Sequence, residues 1–326
     1  MKATHIVGGE ISYVQNPGNE YVITLEIYRD CSSATNANFD NPANLMIYRS
    51  DGSYYTNVFM NIAVRNFMPS TINNPCITTP ELCVEYAMYT TTLNLPPIFG
   101  GYNLVYQRCC RNNTILNLIQ PGSIGSSYME HVPGTNEVAN NNSPKFNSIP
   151  PKFICKGIPI EYDHSATDLD GDSLVYSLCD PFNGLDACCP VLIDGISGGS
   201  GPFCPSPPDV CPSIGQPPPY QTVPFQSPYS GSYPLSSSPA ISIDPQTGFL
   251  DGIPDVIGQW VVAVCVQEYR NGVLIGTHKR DFQFNVVQCT VASSAAIANQ
   301  TVYCEGFQVD FHNLSFTTIA GTPTYS

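Results

Sequence analysis

The sequence predicts an all-β protein made of tandem β-sandwich domains. Three observations lead there: apolar residues recur with period two, turn signals rich in Pro, Gly and Asn separate short runs, and no long helical periodicity interrupts them. With 326 residues, two or three domains are expected, and 42 % hydrophobic residues are ample for real cores.

In the segment 21–29, Tyr21, Ile23, Leu25, Ile27 and Arg29 point one way, and Val22, Thr24, Glu26 and Tyr28 the other. That alternation makes a strand with one apolar face. Asn16-Pro17-Gly18-Asn19 turns it back on residues 11–15. Asp51-Gly52, between 45–49 and 54–59, predicts a second hairpin, and further strands are expected at 83–93, 102–108 and 126–131. These form a first sandwich over residues 1–150. Ser148-Ile149-Pro150-Pro151 reads as a boundary. Strands at 158–162, 173–178, 240–243, 260–268 and 273–287 then make a second domain, 151–288. The second domain holds a Pro/Cys-rich insertion, 180–238, with 13 prolines, seven glycines and four cysteines. Pro217-Pro218-Pro219 cannot join a ladder, so disulfides are the only source of order expected there. Residues 289–326 read as the start of a third domain, with 308–311 as one strand.

Twelve basic side chains stand against 26 acidic ones, a formal charge of −14. A nucleic-acid or anionic-membrane binder is excluded, because both need a basic face. The imbalance is local. Residues 157–269 contain eleven Asp, two Glu and no Lys or Arg, so this stretch carries −13 of the −14. Fourteen cysteines predict an oxidised, secreted protein, and no apolar run of about 18 residues predicts a transmembrane segment. Met1-Lys2-Ala3 leads straight into Thr4-His5-Ile6 without a signal peptide, so a processed N-terminus is expected, and the abrupt stop at Thr324-Tyr325-Ser326 suggests a fragment.

Asp168-Leu169-Asp170-Gly171-Asp172, preceded by Asp163, is the sharpest motif. Carboxylates at alternate positions around a glycine turn can converge on one hard cation with six to eight oxygen ligands, so Asp163, Asp168, Asp170 and Asp172 are candidate calcium ligands. An EF-hand is excluded, because its twelfth loop position is Cys179. A haloacid-dehalogenase phosphatase is excluded as well, since a strand rather than a helix follows the motif. An acidic turn without an ion is the competing reading.

Short loops suggest the disulfides Cys76–Cys83 and Cys289–Cys304, with Cys188, Cys189, Cys204 and Cys211 closed among themselves. The remaining Cys31, Cys109, Cys110, Cys155, Cys179 and Cys265 allow fifteen pairings, which stay open. Arg108 and Arg111 around Cys109-Cys110 raise the idea of a catalytic thiol, but structural bonds are the better reading. His164 neighbours the acidic turn and reads as a satisfied side chain rather than a base. Asn112-Asn113-Thr114 and Asn313-Leu314-Ser315 fit glycosylation acceptors.

Thr4-His5-Ile6-Val7-Gly8-Gly9-Glu10, Ile27-Tyr28-Arg29-Asp30-Cys31, Tyr106-Gln107-Arg108-Cys109-Cys110-Arg111-Asn112 and Glu268-Tyr269-Arg270-Asn271-Gly272 together resemble one group. It comprises the large cell-surface proteins of the Bacteroidota, often described as PKD-domain or gliding-motility-associated proteins. The resemblance covers residues 4–289 and implies type IX secretion. Residues 166–178, 243–250 and 258–268 are similar to a cadherin-like, immunoglobulin-type repeat. Such repeats bind calcium near a domain junction, which implies Asp168, Asp170 and Asp172 as ligands and puts Glu268 where the repeat places a closing Asp. Residues 307–315, with Cys304 before them, are similar to the start of a PKD domain.

The expected function is a non-enzymatic adhesin or stalk segment at the cell surface, stiffened by calcium and disulfides. Its expected partners are other surface or filament proteins, further copies of itself and surface glycans. The alternative is a subunit of an extracellular filament joined by β-strand contacts. A secreted glycosidase is the weakest reading, because no feature singles out an acid and a base.

Overall fold

The computed structural model describes residues 6–31, 38–69, 77–78, 82–134, 137–184 and 217–291. Eleven strands of six residues or more carry the fold. In the first half these are β1 (Ile6–Asn16), β2 (Glu20–Asp30), β3 (Ala43–Arg49), β4 (Tyr54–Met60), β5 (Ile62–Phe67), β6 (Val84–Asn94), β7 (Tyr102–Arg108) and β8 (Ser126–Val132). In the second they are β9 (Ser173–Cys179), β10 (Gly258–Arg270) and β11 (Val273–Val287). No α-helix occurs among the described residues, and no helix there is long and apolar enough to cross a membrane.

The largest sheet runs β9-β10-β11-β1-β2-β6-β5, with Ile154–Cys155 added in parallel beside β11. A second sheet, β4-β3-β7-β8, covers its first half. The alternation read in residues 21–29 is what faces these two sheets together: Tyr21, Ile23, Leu25 and Ile27 pack with Ile11, Leu45, Ile47 and Leu104 in one core. Trp260, Val262, Val264, Val266, Phe282 and Phe284 form another, closed by Phe146, Ile160, Leu235 and Leu250. Neither sheet closes into a barrel, and the architecture is all-β and sandwich-like.

Two expectations need correction, and one strand is unannounced by the sequence. The strand expected at 158–162 is confined to Tyr162–Asp163, because Pro159 has no N–H for a ladder, although Ile160 is buried in the core. The edge strand β5 has no apolar alternation to announce it, since four of its six residues are exposed. The described part of the insertion, 180–184 and 217–238, is ordered without a disulfide of its own other than Cys179–Cys265 at its root. Val223 and Leu235 are buried, and single bridges join Phe225 to Leu118 and Phe182 to Thr222.

The cysteine pairing also differs. Cys83 is joined to Cys31 rather than Cys76, and Cys289 to Cys155 rather than Cys304. Cys31 follows β2 and Cys83 precedes β6, its neighbour in the sheet, so the sheet brings together cysteines 52 residues apart. Cys179 is joined to Cys265 across β9 and β10, and Cys109 to Cys110. The three long-range bonds close loops of 52 to 134 residues, each restricting the unfolded chain by about 4–5 kcal/mol. Cys76, Cys188, Cys189, Cys204, Cys211 and Cys304 lie outside the described residues, as does the proposed third domain beyond Val291.

β1 meets β11 through only two ladder pairs, Gly8 with Phe282 and Gly9 with Asp281. The approach is too close for a side chain: a Cβ at Gly8 would stand 2.5 Å from the Asp281 carbonyl oxygen. Charges complete the seam. On one face Arg280 donates to Glu10 (2.5 and 3.0 Å), while His278 lies between Glu10 (3.2 Å) and Glu130 of β8 (2.7 Å). On the other, Arg111 reaches Asp281 with both terminal nitrogens, at 2.5 and 3.3 Å. All six side chains are buried. Burial opposes a charge on His278, but Glu130 and Glu10 overcome it and hold its pKa at about 9. Burial likewise pushes the Glu10 carboxyl up, and Arg280 and His278 outweigh it, bringing the pKa down to about 2.

A raised histidine pKa adds stability that is complete below its ordinary value of 6.5 and is lost as pH rises through about 9. The wild-type advantage over His278→Gln in denaturant unfolding therefore falls by about 3 kcal/mol between pH 6.5 and alkaline pH. An advantage independent of pH would show that His278 carries no charge in the fold.

Candidate metal centre

The acidic turn lies directly before β9, and β9 pairs with the far end of β10, Ser173 opposite Tyr269 and Leu174 opposite Glu268. This register carries the turn to the end of the β10–β11 hairpin. Asp168, Asp170, Asp172 and Glu268 each offer a carboxylate oxygen there, all within 4.8 Å of one another. The four residues can hold a metal ion, and their oxygen-only donor set suits a hard cation.

Backbone geometry builds the turn. Asp168 Oδ1 accepts from the amides of Asp170 and Asp172, both at 2.9 Å, around Gly171, whose φ of 81° favours glycine. The Asp170 carboxylate accepts from the Asn142 amide at 2.7 Å and from its side-chain nitrogen at 2.9 Å. Glu268 Oε2 accepts from Asn141 Nδ2 at 3.3 Å. Two buried oxygens, Asp168 Oδ2 and Glu268 Oε1, have no hydrogen-bond partner among the described residues.

The electrostatics are unequal. Burial pushes Glu268 up to about 8, reinforced by the charges of Asp168 and Asp172. Burial also raises Asp168, and its backbone donors offset this only in part. Asp172 is lowered instead, because Arg270 hydrogen-bonds to it, with Nε at 2.9 Å and Nη2 at 2.5 Å. Arg270 Nη2 stands 3.5 Å from Asp170. The sequence alone assigns Arg270 no role at the turn, although it ends the basic-free stretch and lies two positions beyond Glu268. Its signal was the hairpin turn Asn271-Gly272, which marks where β10 reverses.

Of the five acidic residues expected as ligands, Asp163 is not brought to the cluster. It sits in the short strand Tyr162–Asp163 and its Oδ1 accepts from the Ser165 amide, closing a local turn.

The chain matches no family model, no curated protein and no solved structure. The site is therefore argued from its own geometry.

Other sequence candidates take different places. His164 is fully buried among Phe146, Tyr162 and Phe282, with neither ring nitrogen hydrogen-bonded among the described residues, and burial drives its pKa well down. It is thus an apolar-site histidine, not the satisfied side chain expected. Asn112 is buried with Nδ2 donating to Gln259 Oε1 at 2.9 Å, which closes the first glycosylation acceptor in the folded protein. Asn313 lies outside the described residues. The thiols of Cys109 and Cys110 are consumed in their mutual bond.

Glu268→Gln tests the strain among these carboxylates. The raised pKa means that ionising Glu268 costs stability as pH rises from 4.5 through about 8. In the absence of metal at pH 8 the variant melts higher by about 3 °C or more, the shift that roughly 1 kcal/mol produces in a domain of this size. A lower melting temperature would mean that the carboxylate is already compensated.

Proposed function

We propose that this chain is a structural segment of an extracellular surface protein, of stalk or adhesin type, whose acidic turn binds calcium where the two halves meet. Four disulfides and the lack of a membrane-crossing helix among the described residues fit an extracellular protein. The resemblance to Bacteroidota surface proteins with cadherin-like repeats supports the same reading, and its expected partners are other surface proteins.

One observation carries the calcium part: two residues of a four-carboxylate cluster, Asp168 and Glu268, each keep a buried carboxylate oxygen with no donor. A buried acceptor left unpaired costs about 1–3 kcal/mol, and a cation would relieve two of them at once. Calcium suits the set better than magnesium, since it tolerates irregular coordination by many oxygens, whereas magnesium demands a near-ideal octahedron. The cluster is also tied to the first half. Asn141 Nδ2 donates to the Tyr13 hydroxyl as well as to Glu268, and Asn142 Oδ1 accepts from the Gln15 amide while its nitrogens hold Asp170. The acidic cluster and β1 therefore share the same two asparagines.

Thermal melting in calcium and then in a chelator tests the reading. At calcium about 100-fold above Kd, linkage gives roughly 2.7 kcal/mol and a rise of about 5 °C or more. Asp168→Asn should abolish the rise, because it replaces one of the two unpaired oxygens. A melting temperature unchanged by calcium would overturn the proposal.

A further inference from the structure

Arg270 stands where an added cation would compete. Its guanidinium occupies both oxygens of Asp172, at 2.9 Å for Oδ1 and 2.5 Å for Oδ2, and approaches Asp170 at 3.5 Å. The same group donates to the carbonyl oxygens of Ala139 and Asn140, at 3.1 and 3.3 Å, and to Asn141 Oδ1 at 2.9 Å. One positive charge thus joins the acidic turn to the segment 139–142. Residues 141–143 hold β1 through the Tyr13 amide on Ser143 Oγ, the Gln15 amide on Asn142 Oδ1, the Asn141 amide on Gln15 Oε1, and the Ser143 amide on the Tyr13 carbonyl.

Arg270 and an ion would draw on the same carboxylate, Asp172. Glu268 is 1 % exposed, and its Oε1, like Asp168 Oδ2, has no partner. Neither oxygen is held by an Arg, Asn or backbone donor, whereas Asp170 and Asp172 are. Calcium takes six to eight oxygen ligands, and Asp170 and Asp172 are the other two carboxylates that the cluster offers it. Both oxygens of Asp172 accept from the guanidinium, and both oxygens of Asp170 accept from Asn142, so an ion drawn to either carboxylate competes with a donor already in place. Either step disturbs the anchors of segment 139–142.

We propose that Arg270 is a built-in competitor of calcium, and that exchanging its guanidinium for the ion loosens the hold of segment 139–143 on β1. This rests on the calcium reading above and adds its regulation: the ion stabilises the acidic turn while releasing a tether between the two halves. The site then has two states, a closed one in which Arg270 neutralises Asp172 and a metal-loaded one in which the tether is freed.

Calorimetric titration of the whole chain with calcium chloride, for wild type and Arg270→Gln, tests the competition. The variant should bind about tenfold more tightly, as expected when a charge-assisted pair no longer has to be broken. In the wild type, calcium should speed hydrogen exchange at the Tyr13 and Gln15 amides. Equal or weaker binding by the variant, or unchanged exchange at both amides, overturns the proposal while leaving the calcium site standing. Failure of both proteins to bind calcium overturns the calcium reading itself. If Arg270→Gln does not fold, Arg270→Lys keeps the charge without the two-pronged contact to Asp172; intermediate affinity then supports the competition and wild-type affinity overturns it.

Discussion

Glu10 is held by Arg280 and His278 at a point where the backbone offers almost nothing. The eight-stranded sheet is continuous through β1 and β11, yet those strands share only two ladder pairs. A seam of this length is too weak to join two cores through backbone bonds alone. The buried charges supply the remainder, in a chain from Glu130 through His278 and Glu10 to Arg280, with Arg111 and Asp281 on the opposite face. Removing one partner from such a set strands its counter-charge in a low dielectric at a cost of about 3–5 kcal/mol, so the set behaves as a unit.

The acidic cluster occupies the other end of the same junction. There the two halves communicate through the polar groups of residues 139–143 and the carboxylates of the acidic cluster. These groups can exchange one partner for another, unlike interlocked side chains, whose close packing permits little rearrangement. The molecule therefore combines a fixed ionic clamp at Glu10 with an adjustable polar one at Asn141 and Asn142.

Much of the strand content was legible in sequence because the two-residue alternation of 21–29 directly records which side faces the core. The partners of the charges were not. Glu10 and Arg280 lie 270 residues apart, and Arg111 and Asp281 lie 170 apart, so no local pattern links them. The cysteines erred for the same reason: closeness in sequence favoured Cys83 with Cys76, whereas the sheet places Cys83 beside Cys31. The acidic turn was readable because its ligand pattern is local, and Asp168, Asp170 and Asp172 do converge. Asp163 failed because the chain turns back on itself at Ser165 first, and Arg270 was missed because its role depends on how β9 and β10 pair.

β1 and β11 run antiparallel, so the start of β1 and the end of β11 leave the seam on the same side. A pull applied to the chain before Ile6 and after Val287 would open that seam like a zipper, one pair at a time, instead of shearing a whole ladder. Gly8 and Phe282 would part first, and the load would then fall on Arg280 and Glu10. The Cys155–Cys289 bond ties the end of β11 to the neighbouring parallel strand, and Thr290 and Val291 pair with Thr78 and Ile77, so these links share the load with the seam. At the seam itself, what resists such peeling is a pair of charges rather than a ladder.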